Sequence, residues 1–203
     1  MAVLGSIVFC VGFVCFAIYA HDLWQASVER PFYYDGIVTS REAPDFTLSR
    51  IDGTGYVRLS SFRGEKPVVL CFSSLSCTVF CESLPKLTAL YKRYGDQVEF
   101  LFVNVREAGH RIPGYEFLLD SLDPEDPDPL RTRRERVARA IAKRGLAIPA
   151  VIDTLDRKTE RDYRAFPLRV FVVDRDGVVV HAIEPRMGAD WLHNVEEWLK
   201  AHR

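Results

Sequence analysis

Pro67 to Pro85 reads PVVLCFSSLSCTVFCESLP, a buried strand that runs through a short polar turn into a helix carrying two cysteines. Val68, Val69, Leu70, Cys71 and Phe72 form a continuous apolar run bounded by Pro67 and Ser73-Ser74, the pattern of a strand covered on both faces. After Ser76, the apolar positions Val79, Leu84, Leu87, Leu90 and Tyr91 return at roughly helical spacing, so the helix is predicted to begin close to Cys77. A thiol is thereby set at a helix N-terminus. Unpaired N–H groups and the positive end of the helix dipole favour a thiolate there, with thiol pKa values falling from ~8.5 to as little as ~3.5. Cys77 is the expected nucleophile.

Cys81 lies one turn further on the same face, where Cβ atoms are ~5–6 Å apart against the ~3.5–4.5 Å of a disulfide. A bond between Cys77 and Cys81 therefore requires the first turn to open, and such a strained bond suits a resolving step better than a permanent staple. The plainer reading of Cys81, as of Cys71, is a small buried apolar residue.

The 203 residues carry 27 basic and 28 acidic side chains and are 48% hydrophobic, enough for one ordinary domain with an appendage. Balanced charge argues against a nucleic-acid partner. Five cysteines without regular spacing make no disulfide framework and leave the compartment open. Met1 to Ala20 has no charged side chain, and 20 residues match the ~30 Å core of a bilayer. With no Lys or Arg before Arg30, a retained single-pass transmembrane anchor is favoured over a cleaved signal peptide. Arg30 and Arg41 both lie C-terminal to it, which favours the cytoplasmic side only slightly. The expected organisation is an anchor at 1–20, a linker at 21–42 and a catalytic domain at 43–203.

Within the domain, Asp52-Gly53-Thr54-Gly55 separates the runs Phe46-Leu48 and Tyr56-Leu59 as a hairpin would. Val98 to Val105 is a second buried strand, parallel to the first across a right-handed crossover. Tyr115 to Leu122 reads as a short helix and Asp123 to Pro129 as an acidic loop. Thr132 to Arg144 reads as a basic helix with Val137, Ala138, Ile141 and Ala142 inward and its arginines and lysine on a solvated face. Ala150 to Ile152 is a third strand, Arg169 to Asp174 and Val178 to Ile183 a terminal hairpin, and Asp190 to His202 a last helix. The sum is an α/β fold with a mixed central sheet flanked by helices.

The strand, turn and cysteine helix, with Phe166-Pro167 before the RVFVVDRDG hairpin, resemble the thioredoxin-like redoxin fold. That resemblance implies a cis Pro167 set against Cys77. The family's usual second cysteine position is Phe80, so Cys81 stands one residue beyond it. From Pro67 to the C-terminus the chain more closely resembles the iodothyronine deiodinase family. Cys77 falls on that family's selenocysteine and Glu107-Ala108 on its Glu-Ala-His motif, with the histidine displaced to His110 by Gly109. Pro149 to Thr154, Tyr163, and Pro167 with Arg169 fit further motifs, Leu168 standing where the family has Glu. A second family histidine would fall near Leu130.

The resemblance implies a membrane-anchored thiol oxidoreductase in which the Cys77 thiolate takes iodine from an aryl ring as a sulfenyl iodide that a second thiol reduces. Cysteine in place of selenium implies a slower enzyme. The candidate catalytic residues are Cys77, Cys81 and His110, and the candidate substrate-binding set is Ser74, Ser76, Glu107, Pro167 and Arg169. His110, with an ordinary pKa near ~6.5, suits proton donation at neutral pH, although a lone loop histidine is more often simply solvated. No cofactor or metal is called for, only an external thiol reductant. The expected partners are an iodinated aromatic or a peroxide, that reductant and the membrane, with a homodimer left open. A thiol peroxidase or disulfide reductase would use the same residues. A Sco-like copper chaperone is the other alternative, against which Phe166 stands where such a protein has histidine.

Overall fold

In the computed structural model, residues 39–107, 112–118, 122–185 and 190–202 are described. The strands are β1 (Arg41–Glu42), β2 (Thr47–Arg50), β3 (Tyr56–Arg58), β4 (Val68–Ser73), β5 (Glu99–Asn104), β6 (Ala150–Ile152), β7 (Leu168–Val173) and β8 (Val178–Ile183). The helices are α1 (Thr78–Tyr94), α2 (Pro129–Arg144), α3 (Lys158–Tyr163) and α4 (Trp191–Ala201). The strands form one mixed sheet in the order β1-β8-β7-β4-β5-β6-β2-β3.

Every residue of β4 is buried, as its unbroken apolar run requires, and the strand sits mid-sheet, parallel to β5 and antiparallel to β7. Register then fixes the functional end of the molecule. Ser73 pairs with Asn104 on one side and Leu168 on the other, so the turn after β4, the residues after β5 and Pro167 before β7 meet at one edge. The Phe166-Pro167 bond is cis, as expected from the thioredoxin-like pattern.

Side-chain alternation along the central strands builds two cores. On one face Val69, Cys71, Phe100, Phe102, Val170 and Val172 pack with Phe80, Leu84 and Leu87 of α1, Val137 and Ala140 of α2 and Trp191, Leu192 and Val195 of α4. Phe80 stacks on Phe102 at 4.9 Å, and Trp191 Nε1 donates to Ser83 Oγ at 2.9 Å to tie α4 to α1. On the other face Phe72, Phe171, Phe46 and Tyr163 form an aromatic cluster, with the Tyr163 hydroxyl donating to the Pro44 carbonyl at 2.7 Å.

The hairpin of β2 and β3 and the terminal hairpin of β7 and β8 stand where the turn residues predict them. Several expectations are corrected. The end of the expected linker, Arg41–Glu42, is a strand paired with Val179 and Val178, so the sheet begins earlier than residue 43. The expected helix at Tyr115 to Leu122 is a single 3-10 turn, Glu116–Leu118, in its described part. Helix α2 starts at Pro129 rather than Thr132, because the Asp128 carboxylate accepts from the Arg131 N–H and proline is suited to the first turn. Ala142, expected inside, is exposed, while Ala140 is buried. The expected membrane segment at 1–20 lies outside the described residues. Among the described residues no helix is long and apolar enough to cross a membrane.

Helix α3 has no counterpart among the expected elements. It is six residues long, bounded by Arg157 and Arg164 in left-handed conformations, and has no cap of its own on Arg157. The buried Asp153 carboxylate does that work from a distance, accepting from the N–H groups of Thr159 at 3.2 Å and Glu160 at 2.8 Å, and from Thr154 at 2.9 Å. Replacing Asp153 with Ala leaves these donors without their acceptor and is expected to cost about 3 kcal/mol of unfolding free energy. Urea denaturation of Asp153→Ala checks this; a loss below ~1 kcal/mol would show that α3 is held by its packing alone.

Candidate active site

Cys77 is the N-cap residue of α1, with extended backbone (φ −83, ψ 113), and its side chain makes no capping hydrogen bond. Only 7% exposed, it is a free thiol at the mouth of the first helical turn. The turn leading to it is almost wholly buried. Ser74 and Ser76 have their hydroxyls 3.3 Å apart, the Cys77 N–H donates to the Ser74 carbonyl at 3.3 Å, and the Ser73 hydroxyl reaches the Pro167 carbonyl at 3.4 Å.

The Ser76 N–H, one residue before the nucleophile, donates to Glu107 Oε2 at 2.9 Å, and the other carboxylate oxygen accepts from Asn104 Nδ2 at 3.3 Å. Asn104 in turn takes Arg133, whose guanidinium donates to its side-chain oxygen at 3.1 Å, its carbonyl at 3.3 Å and the Asp153 carbonyl at 2.9 Å. Burial pushes the Arg133 pKa below the ordinary guanidinium value, while Glu107, Asp153 and Glu160 pull it back up. A cation, an amide and a carboxylate thus converge beneath the cysteine turn. Beside Glu107 opens a cleft of about 350 Å³ lined by Arg106, Glu107, Leu118, Arg133, Leu155 and Arg157.

Cys81 faces inward from the next turn. Its thiol donates to the Leu75 carbonyl at 3.3 Å, and its N–H donates to the Cys77 carbonyl at 3.0 Å. Burial pushes its pKa up to about 11; Arg144 opposes this, while Cys77, Glu107 and Glu82 add to it. Cys71, enclosed in β4, is pushed up to about 12 by burial.

Arg169 is largely buried, pairs with Glu184 at 3.0 Å and donates to the Leu168 carbonyl at 2.8 Å. Glu184 reaches it from beyond the end of β8, across the hairpin. Arg106 lies over the Phe166 ring at 3.8 Å and pairs with Glu160 at 3.1 Å. The structure therefore brings Cys77, Cys81, Ser74, Ser76 and Glu107 together in one network and sets Pro167 at its edge. His110 lies outside the described residues. Among the described residues no three His, Cys, Asp or Glu side chains are grouped as a metal site would need.

The α2 arginines are expected on a solvated face, and that is corrected for Arg133 and Arg144. Arg133 reaches the Asn104 carboxamide, and Arg144 lies over Tyr115 at 4.1 Å while donating to the Leu75 carbonyl at 3.0 Å. Arg139 is exposed, with its guanidinium over the Phe117 ring at 3.5 Å. The signal was present: Arg133, Val137, Ala140 and Arg144 are spaced by four, three and four, so both end arginines share the stripe of the buried Val137 and Ala140.

This is the fold of thioredoxin-like proteins, with the cysteine turn at the end of its central strand. Solved structures agree on the fold. A DsbE thiol:disulfide interchange protein from Chlorobium tepidum superposes with a TM-score of 0.58 at 22% identity, covering 81% of this chain and 98% of that one. The thioredoxin domain of a thiol-disulfide oxidoreductase from Bacteroides vulgatus gives 0.57 at 21% over 80% and 99%. A reduced 2-Cys peroxiredoxin from Plasmodium vivax gives 0.56 at 17% over 82% of each.

The family is more specific. The iodothyronine deiodinase family model matches residues 18–201, and the chain belongs to that family. It is similar to thyroxine 5-deiodinase of Gallus gallus, 25% identical over 149 residues that make up 68% of this chain and 53% of that protein. It is also similar to thyroxine 5-deiodinase of Sparus aurata, 26% identical over 167 residues, 80% of this chain and 60% of that protein. The chain thus spans between half and three-fifths of the length of these relatives.

With pKa values of about 11 and about 12, Cys81 and Cys71 are barely ionised near neutrality. Iodoacetamide at about pH 8 is expected to modify Cys77 ahead of both, and modification of Cys81 to rise about tenfold per pH unit until pH approaches its pKa. Peptide mass spectrometry assigns the sites; Cys81 reacting as fast as Cys77 near neutrality would contradict this order.

Proposed function

We propose that the protein is a thiol-dependent reductive deiodinase in which Cys77 is the nucleophile. The observation that carries this is the position of Cys77: a free thiol at the N-cap of α1, with the preceding N–H anchored on the Glu107 carboxylate. In the first half-reaction the Cys77 thiolate attacks iodine on an aromatic ring, the carbon–iodine bond breaks, and the ring carbon takes a proton. The sulfur leaves as a sulfenyl iodide. His110 is assigned as proton donor on family resemblance alone. In the second half-reaction the Cys81 thiolate attacks Cys77 sulfur, iodide departs with the electron pair, and two thiols have become a disulfide. An external dithiol or two monothiols then return both cysteines to the reduced form. The cleft beside Glu107 is the proposed seat of the aromatic ring, with Arg169 and Pro167 on the opposite side of the cysteine turn. The proposal includes a membrane anchor in residues 1–20.

A second reading is peroxide reduction by the same pair, Cys77 passing through a sulfenic acid that Cys81 condenses with to release water. Its support is the near-complete burial of Cys77, which admits a peroxide more readily than a ring.

The test uses the full chain with dithiothreitol and either an iodinated phenol or hydrogen peroxide, following iodide release and peroxide loss. The wild type is expected to release iodide over many turnovers, and Cys77→Ser to release none. Cys81→Ser is expected to release one equivalent and then slow about tenfold or more when thiol is scarce. Iodide release surviving in Cys77→Ser would overturn the reading, and peroxide loss without iodide release would favour the second.

A further inference from the structure

Arg144 stands out because its guanidinium lies over the Tyr115 ring and donates through Nη2 to the Leu75 carbonyl, yet its buried Nε–H has no partner. The Cys81 thiol donates to that same Leu75 carbonyl. A cation and a nucleophilic sulfur from different helices are thereby focused on one oxygen, in the turn that leads to Cys77.

We propose that Arg144 is a positioning residue for the resolving step, its free Nε–H and charge held ready to receive the Cys81 thiolate as it forms to attack oxidised Cys77. This rests on the assignment of Cys77 and Cys81 as an oxidisable pair. When Cys81 ionises it loses its only hydrogen to give, the bond to Leu75 is lost, and a buried anion needs a donor. A buried, unpartnered N–H calls for a reason, and the Cys81 thiolate would give it an acceptor. The charges facing Cys81 leave Arg144 as the favourable one: Cys77, Glu107 and Glu82 all disfavour ionisation there, and Arg144 alone promotes it. The bonds exchanged are those of ordinary thiol-disulfide chemistry. With a Cys77 mixed disulfide, the Cys81 thiol gives its proton to solvent, its sulfur bonds to Cys77 sulfur, and the bound thiol leaves as thiolate with the electron pair.

The test is independent of deiodination. The full chain, with Cys10 and Cys15 changed to Ser, is treated with one equivalent of 5,5′-dithiobis(2-nitrobenzoate). One thionitrobenzoate is released as Cys77 is capped, and a second as Cys81 displaces the cap, both followed by absorbance with the sites assigned by mass spectrometry. In the parent the second release is expected to accelerate with pH between about pH 6 and 9. In Arg144→Gln the ratio of second-step to first-step rate constants is expected to fall about tenfold, the loss of one charge-assisted hydrogen bond, with Arg144→Lys recovering at least about a third of the ratio. Equal ratios in parent and Arg144→Gln would overturn the proposal. Equal losses in Arg144→Gln and Arg144→Lys would also overturn it, by showing a packing role over Tyr115. Second release persisting unchanged in Cys81→Ser would overturn it as well, while leaving iodide release by Cys77, assayed separately, as the measure of the deiodinase reading.

Discussion

A nucleophile at the end of a fully buried strand requires a polar turn to be buried with it, and that requirement organises the site. Ser73, Ser74 and Ser76 are as inaccessible as the apolar residues of β4. Their N–H, C=O and hydroxyl groups must therefore find partners inside the protein, at a cost of about 1–3 kcal/mol for each that does not. Local bonds satisfy part of this. The Ser76 N–H goes instead to the half-buried Glu107, whose carboxylate takes partners of its own. Asn104 supplies a donor and Arg133 a charge, and Arg133 is oriented by the Asp153 carbonyl. Asp153 spends its carboxylate on the start of α3. One backbone N–H beside the cysteine thus recruits parts of β5, β6, α2 and α3.

That chain of dependence explains which parts were readable in the sequence. Strand β4, helix α1 and the terminal hairpin follow from periodicity within a single segment, so they are legible. The cysteine pair and Pro167 are legible because their chemistry is rare and their spacing local. Arg133 and Arg144 are legible as members of the Val137 and Ala140 stripe, but their partners are not, because nothing within the segment says which carboxylate or carbonyl waits across the fold. Helix α3 is illegible for the same reason: six residues lack an amphipathic period, and its cap is Asp153, outside the helix and its flanking residues. Strand β1 has two exposed residues and exists only by pairing with β8.

Leu168, where the family has Glu, suits its place in this fold. It begins β7 and is buried against the main core, so a carboxylate there would be desolvated. Arg169 points to the opposite face, as neighbouring strand residues do, and meets Glu184 from beyond the end of β8. The antiparallel pairing of β7 and β8 makes this possible by setting the start of one strand beside the end of the other.

The remaining tension lies in α1, where a helix favours i and i+4 thiols too far apart for a bond and redox chemistry requires them to meet. The chain weakens the helix at the place where it must yield. Cys77 already has extended backbone, and the bond from the Cys81 N–H to its carbonyl spans the pair. One turn further, Pro85 lies inside the helix and has no N–H to offer the Cys81 carbonyl, removing the bond that would have secured Cys81 from the C-terminal side. The buried residues Phe80, Leu84 and Leu87 fix the helix to the sheet through their side chains, so the turn can open without undocking the helix. Opening gives up that backbone bond, about 1 kcal/mol net, together with the bond from the Cys81 thiol to the Leu75 carbonyl.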